Sequence, residues 1–395
     1  MKIAIIAAAL PPRLDGIGDY TAHLAAELAG SATVTVLAGQ EHAAPIPGVE
    51  IVPAFLAAQP GSVRALATQV EKDPPDWLLL QYNPFCYGPR GFNPRLSQVW
   101  RGIRRRHPEV RLALMVHEPF VPVTNWKFAV MTTWQRWQLW SLGRAADSVF
   151  CSIDPWARRF RPWFPGKPVA HLPVGSNVPL TPLARSEARD RLGISEETVV
   201  LGVFGTLSWT RLLARIRAAA ETVRAGGRDV LVLYMGPDGG LVRQGLDGFP
   251  VRADGPLEAG EISRRFAAVD IYLAPFVDGV STRRTSLMTA LQHGVATAGT
   301  RGWLTDALLV AEDGRALLLA DAKDADAYKA CVRRLLEDDA LRARLGQQAQ
   351  RLYQREFAWE RIAAQLMRAF SAPVEAEADA RCAAGGIEAG TRWDR

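Results

Sequence analysis

Short apolar runs alternate with segments of helical spacing along most of the chain. In the first half the runs predict strands at Lys2–Ala7, Thr33–Leu37, Val49–Pro53, Trp77–Gln81, Arg111–His117, Ser148–Ser152 and Val169–Pro173. The second half repeats the pattern at Val199–Gly205, Val230–Tyr234, Val251–Ala253, Ile271–Pro275, Val295–Gly299 and Leu317–Leu319. Several runs are continuously apolar, as parallel strands covered on both faces are. Helical patterns fill the gaps, for example Tyr20–Leu28, Leu96–Arg106, Arg211–Ala225 and Glu261–Val269. This alternation predicts an α/β protein with one parallel sheet in each half.

The polar, proline-rich stretch Pro173–Pro182, just before a helix at Arg185–Leu192, divides the halves. The expected domains are therefore residues 1–178 and 179–356. A last helical stretch runs from about Leu341 to Phe370, where Ile362, Leu366 and Phe370 recur every four residues beside Trp359 and Ala363. That spacing gives one apolar face. Residues 374–395 are rich in Ala, Glu and Gly without core-forming periodicity and are expected to be a mobile tail.

Composition narrows the class. With 395 residues, 48% hydrophobic and 22% charged, the chain excludes wholesale disorder and fits two globular domains. No apolar run approaches the roughly 20 residues needed to span a bilayer. Ile3–Leu10 has one lysine before it and ends at Pro11-Pro12, which reads as a buried strand and not as a signal peptide. Cys86, Cys151, Cys331 and Cys382 lie far apart with no CxxC pair, so a zinc site or disulfide framework is not expected and a reducing cytoplasm is. Charge is uneven: residues 1–178 hold 18 Lys/Arg and 12 Asp/Glu, and the remainder holds 29 of each. The net +6 thus belongs to the first half and points to an anionic surface or substrate there. No nucleic-acid partner is expected.

Four segments carry candidate chemistry. Asp15-Gly16-Ile17-Gly18-Asp19 follows the first strand and opens a helix, where glycines admit a ligand and free N–H groups receive an anion. It lacks the third glycine of the dinucleotide fingerprint, and a plain tight turn is the alternative. His117-Glu118 ends a buried strand, the edge at which open parallel sheets bind ligands. A core histidine and a helix-capping acid are the bland alternatives. Asp278-Gly279-Val280-Ser281-Thr282-Arg283-Arg284-Thr285-Ser286 puts two cations and several hydroxyls at a helix start, a combination suited to a diphosphate. Arg211 lies six residues past the strand-end Gly205, placed either to enter the same cleft or to stay on a helix surface.

Together these pieces resemble the glycosyltransferase family 4 group, whose two facing Rossmann-like domains form the GT-B fold. The resemblance covers roughly residues 1–370 and rests on GIGDYTAHLAAELA at Gly16–Ala29, the strand ending VHE, LPVGSN at Leu172–Asn177, the strand Val203–Gly205, PFVDGVSTRRTSLMTALQHG at 275–294, and the FAW and helix at 357–370. It implies a last helix, about 357–371, that crosses back to an acceptor-side first domain, and a second domain that holds a nucleotide-sugar. It further implies that Gly16 and Gly18 line the donor phosphate and acceptor side, with Asp15, Asp19 and Glu118 nearby on the acceptor side. His117 would sit by the transferring sugar, and Arg211 with Gly205 would serve the donor diphosphate. Thr285 and Ser286 would offer backbone amides to the outer phosphate.

Two positions depart from that pattern. The family carries two glutamates eight positions apart where this chain has Ser281 and Thr289, the second of which normally holds the ribose. The arginine usually beside the strand-end glycine is Thr206, and Arg283 or Arg284 is expected to replace its charge. The resemblance implies a retaining glycosyltransferase, of hexosyl type and in carbohydrate biosynthesis, using a UDP-, GDP- or ADP-sugar as co-substrate without a metal or other cofactor. The acceptor would be a polysaccharide, a lipid-linked glycan or a small molecule. The alternative is a catalytically silent nucleotide- or glycan-binding relative, and an epimerase on the same architecture is a third reading. Finally, Arg101 and Arg104–Arg106 precede a stretch with Trp126, Trp134, Trp137 and Trp140 interleaved with Lys127 and Arg136. That pattern suits either packing against the sheet or reversible contact with an anionic membrane, peripheral at its inner surface.

Overall fold

The structure, a computed structural model, describes residues 1–372. The expected tail at 374–395 lies outside the described residues. Among the described residues the first half forms a seven-stranded parallel sheet in the order β3-β2-β1-β4-β5-β6-β7. Its strands are β1 (Lys2–Ala7), β2 (Thr33–Ala38), β3 (Val49–Pro53), β4 (Trp77–Tyr82), β5 (Arg111–Val116), β6 (Ser148–Cys151) and β7 (Val169–His171). The second half forms a six-stranded parallel sheet in the order β10-β9-β8-β11-β12-β13. Those strands are β8 (Val199–Phe204), β9 (Val230–Met235), β10 (Val251–Ala253), β11 (Ile271–Ala274), β12 (Thr297–Arg301) and β13 (Leu318–Asp321). Each sheet reverses strand order beside its first strand, so a ligand crevice is expected outside the carboxyl ends at that reversal.

The sheets are buried on both faces, which is why their strands are near-continuously apolar in sequence. Three expected boundaries move for local reasons. β12 starts at Thr297 because Gly294, at φ +65°, still closes the preceding helix, with the Val295 N–H donating to the Ala290 carbonyl at 3.1 Å. Arg211 is not helical: it bridges antiparallel to Phe276, and the helix begins at Leu213. Gly16 and Gly18 lie inside the Gly16–Ala29 helix, whose true start is the Asp15 cap.

The terminal stretch is not one helix. Asp339–Leu352 gives way to a wider π-type turn at Tyr353–Phe357, which redirects the chain into Trp359–Ser371. That last helix packs on the first domain. Phe370 stacks on Trp77 with ring centroids 4.1 Å apart, and Trp359 stacks on His23 at 5.1 Å. The linker is also less exposed than its polar composition predicts, since Leu172–Ser176 is buried. Trp359 Nε1 donates to the Ser176 carbonyl at 2.7 Å, and a Cβ on Gly175 would fall 2.6 Å from the Trp359 ring.

Candidate functional site

The carboxyl edges of the two sheets face each other, and the loops leaving β5 and β6 touch those leaving β11 and β12. Thr282 Oγ1 donates to the Ser152 carbonyl at 2.9 Å, and Arg283 forms an ion pair with Glu118 across the gap. Buried Asp306 accepts from the Thr282 N–H at 2.7 Å and from the Asp154 N–H at 2.8 Å, with His171 Nε2 3.8 Å away. Burial pushes the Asp306 carboxyl up and the His171 imidazole down, each opposed by the other's charge. Asp306 therefore holds both the loop after β11 and a first-domain helix start.

Three arginines converge on the second-domain side. Arg211 is brought in by the bridge to Phe276 and donates through Nη2 to the Phe204 carbonyl at 2.7 Å. Its guanidinium lies 4.7 Å from the Phe276 ring, and that of Arg284 lies 3.6 Å from the same ring. Arg283 stacks over Trp156 of the first domain at 5.0 Å. Asp278 pairs with both, reaching Arg283 Nη2 at 2.7 Å and also Arg284. Burial lowers Arg284 to about 10, against the pull of Asp278 and with Arg283 and Arg211 adding to the fall, so it remains cationic at neutral pH. Nε and Nη1 of Arg211, with Nε of Arg283 and of Arg284, are buried without a protein hydrogen-bond partner.

Glycine geometry draws these groups together. Gly205 sits at φ +92°, and a Cβ there would lie 3.7 Å from both Arg211 Nη2 and the Ser286 Cβ. The backbone thus turns between the arginine and the start of the Thr285–Gln292 helix, which carries no side-chain cap. Thr285 and Ser286 are half-buried at that start, while Thr206 points to solvent. Ser281 and Thr289 do not line the opening. Both are fully buried, and Thr289 Oγ1 donates to the Thr285 carbonyl at 2.9 Å and contacts Ser176 Oγ at 3.0 Å. The position expected to meet the donor ribose instead braces the linker.

On the first-domain side His117 is 7% exposed and follows β5, with Nε2 2.7 Å from Gln81 Oε1 and its ring edge-on to Tyr20 at 4.7 Å. Burial pushes its imidazole down to about 3, so it is neutral near pH 7. Asp19 accepts from Asn177 Nδ2 at 3.1 Å, which ties the first helix to the linker, and burial raises its carboxyl.

At the expected anion nest of Gly16–Gly18 the structure places a side-chain cap. Asp15 Oδ1 already accepts from the Ile17 and Gly18 N–H groups at 3.0 and 2.8 Å. Gly18 is required for packing, since a Cβ would fall 2.9 Å from the Ala9 carbonyl oxygen, whereas Gly16 faces open space. Sequence reasoning missed Asp278, Phe276, Trp156 and Asp306 as organisers. Only Asp278, at an Asp-Gly turn beside two arginines, carried a readable signal.

No family model matches the chain. A curated D-inositol 3-phosphate glycosyltransferase of Nocardioides sp. (strain ATCC BAA-499 / JS614) is 29% identical over 249 residues, 56% of this chain and 53% of that protein. The chain thus spans about half the length of this relative. Among solved structures, sucrose-phosphate synthase of Thermosynechococcus elongatus superposes with TM-score 0.71 at 17% identity, covering 93% of this chain and 98% of that one. Anabaena HepE in complex with UDP and glucose gives TM-score 0.67 at 16% identity over 94% and 99%. WaaG, a glycosyltransferase involved in lipopolysaccharide biosynthesis, gives TM-score 0.67 at 13% over 94% and 100%. The architecture is the GT-B fold that these structures share.

Proposed function

We propose that the protein is a retaining glycosyltransferase that moves a sugar from a nucleotide-sugar to a glycan, lipid-linked or small-molecule acceptor. The observation that carries this reading is the convergence of Arg211, Arg283 and Arg284 around Phe276 and Asp278. Their buried, unpartnered N–H groups sit beside an uncapped helix start. Transfer from an activated sugar leaves an anionic diphosphate. Preorganised cations and amides stabilise that charge most in a dry site. Arg211 and Arg284 would take the diphosphate, with the Thr285 and Ser286 amides completing its outer end. Arg283 would join them on exchanging Glu118 for the ligand. His117, being neutral, would hydrogen-bond the sugar or acceptor and not act as a strong acid. On this mechanism the diphosphate takes the acceptor proton on the same face and no metal is required. HepE was solved with UDP and with UDP-glucose, which makes a UDP-hexose the first donor to try.

A second reading, binding without turnover, is favoured by one observation. Thr289 is buried against Ser176, so that position offers no carboxylate to a ribose. A thermal-shift screen against UDP-, GDP- and ADP-sugars, followed by an assay for freed nucleotide, separates the readings. Stabilisation with release supports the transferase. Stabilisation without release under any acceptor supports the silent binder, and no shift with any of the three sinks both.

A further inference from the structure

The Trp126–Ala145 helix turns most of its large apolar side chains outward. Leu139 and Leu142 anchor it in the core, but its other buried positions include Thr132, Gln135, Gln138 and Ser141, while Trp126, Val130, Trp137 and Trp140 stand 42–73% exposed. A helix on a soluble domain ordinarily turns its apolar stripe inward. Here the inward polar groups are satisfied: Gln135 Oε1 accepts from the Val121 N–H at 2.9 Å, and Gln138 Oε1 accepts from the Asn93 N–H at 2.7 Å. The helix is therefore fixed in this orientation, with its aromatic face outward. Several large aromatic side chains exposed together on one helix face suit an interaction surface.

The patch extends beyond the helix. Phe92 lies 6.3 Å, centroid to centroid, from Trp137, and exposed Leu14, Phe85 and Val123 stand on the loops after β1, β4 and β5. All three loops leave carboxyl ends of the first sheet, so the apolar rim borders the opening described above. Cations are interleaved with it. Lys127 and Arg144 lie 5.8 Å from the Trp126 and Trp140 rings, and exposed Arg101 and Arg105 line a hollow shared with Ala145. Arg104 is the exception, being paired with Asp147 at 2.8 Å. From residue 84 to 145 the chain has ten Lys/Arg against two Asp/Glu.

We propose that this face seats the first domain on an anionic lipid bilayer, with the tryptophans at headgroup depth and the cations against lipid phosphates. Indole rings with an apolar body and one N–H favour that depth. The excess of unpaired cations supplies charge complementarity that a second copy of the same basic face would lack. No helix among the described residues is long and apolar enough to cross a membrane, so contact of this kind is in-plane and reversible.

The test is co-sedimentation of the full chain with phosphatidylcholine vesicles, with and without phosphatidylglycerol. Pelleting is expected with the anionic vesicles, weakening with salt. The combined variant Arg101→Gln with Arg105→Gln should lower partitioning by roughly fivefold per cation removed. Trp126→Ala with Trp137→Ala and Trp140→Ala should abolish pelleting, while Trp303→Ala, on the second domain, should not. Circular dichroism and melting temperature of each variant establish that it is folded. Equal pelleting with neutral vesicles, or none with anionic ones, overturns the proposal. So does a wild-type dimer in light scattering that the tryptophan substitutions convert to monomer, because the face would then cover a second copy.

Discussion

Arg284 is held between the Phe276 ring and the Asp278 carboxylate, and Arg283 between Asp278 and Glu118. Losing one charge-assisted contact of this kind costs on the order of 1.5–3 kcal/mol. Arg283→Ala and Arg284→Ala are each expected to weaken nucleotide-sugar affinity about 10- to 150-fold by isothermal titration. Unchanged affinity in both would remove the loop from the donor site. His117 gives a prediction in pH. Its imidazole is pushed from an ordinary 6.5 to about 3, so between those values the unfolded chain binds a proton that the folded chain does not. The stability it contributes is complete above about pH 6.5 and is lost progressively as the pH falls toward 3. Urea denaturation across that window should show a shallower acid loss in His117→Gln than in wild type. At pH 7.5 the same variant should lose turnover far more than melting temperature. A large fall in melting temperature at pH 7.5 would instead mark His117 as a core residue.

The loop from Phe276 to Arg284 depends on one position of close approach. Gly279 sits at φ +86°, and a Cβ there would fall 2.1 Å from Thr305 Oγ1 and 2.3 Å from the Gly302 N–H nitrogen. Gly279→Ala should cost roughly 1–3 kcal/mol from overpacking, with added strain at positive φ, and should disturb Asp278 and both arginines together. The expected signature is loss of donor affinity beside a lowered urea midpoint. An alanine variant with wild-type values in both would show that the loop is set elsewhere. Most elements were legible in the sequence, since thirteen apolar runs overlap the thirteen strands of the described residues. What could not be read was how loop residues meet across the fold. Arg211 resembles a helix-surface residue until its bridge to Phe276 fixes it, and a helix that buries glutamines and turns tryptophans outward defeats a reading of tryptophans by spacing alone. The two glycines after β1 were legible as a turn, but not that the Asp15 side chain takes the Ile17 and Gly18 amides for itself.

On the scale of the whole molecule, the chain crosses between the two sheets twice, at the buried linker and again at the turn before Trp359–Ser371. Phe370 fills the first domain against Trp77, whose Nε1 donates to the Phe370 carbonyl at 3.2 Å. Phe370→Ala should lower stability by about 3–5 kcal/mol, measured by urea denaturation, despite lying nearly three hundred residues from its partner. A loss under about 1 kcal/mol would mean the crossing helix is only loosely docked. The second half of the chain therefore owns part of the first domain's interior, so covalent order and cooperative unit do not coincide. A protease that nicks the linker should leave two fragments that travel together through gel filtration. Residues 1–178 expressed alone should expose Trp77 and Tyr20 and fail to unfold as a single cooperative transition. Adding the complementary fragment should restore that transition, making the second crossing a staple that works without the peptide bond it normally accompanies.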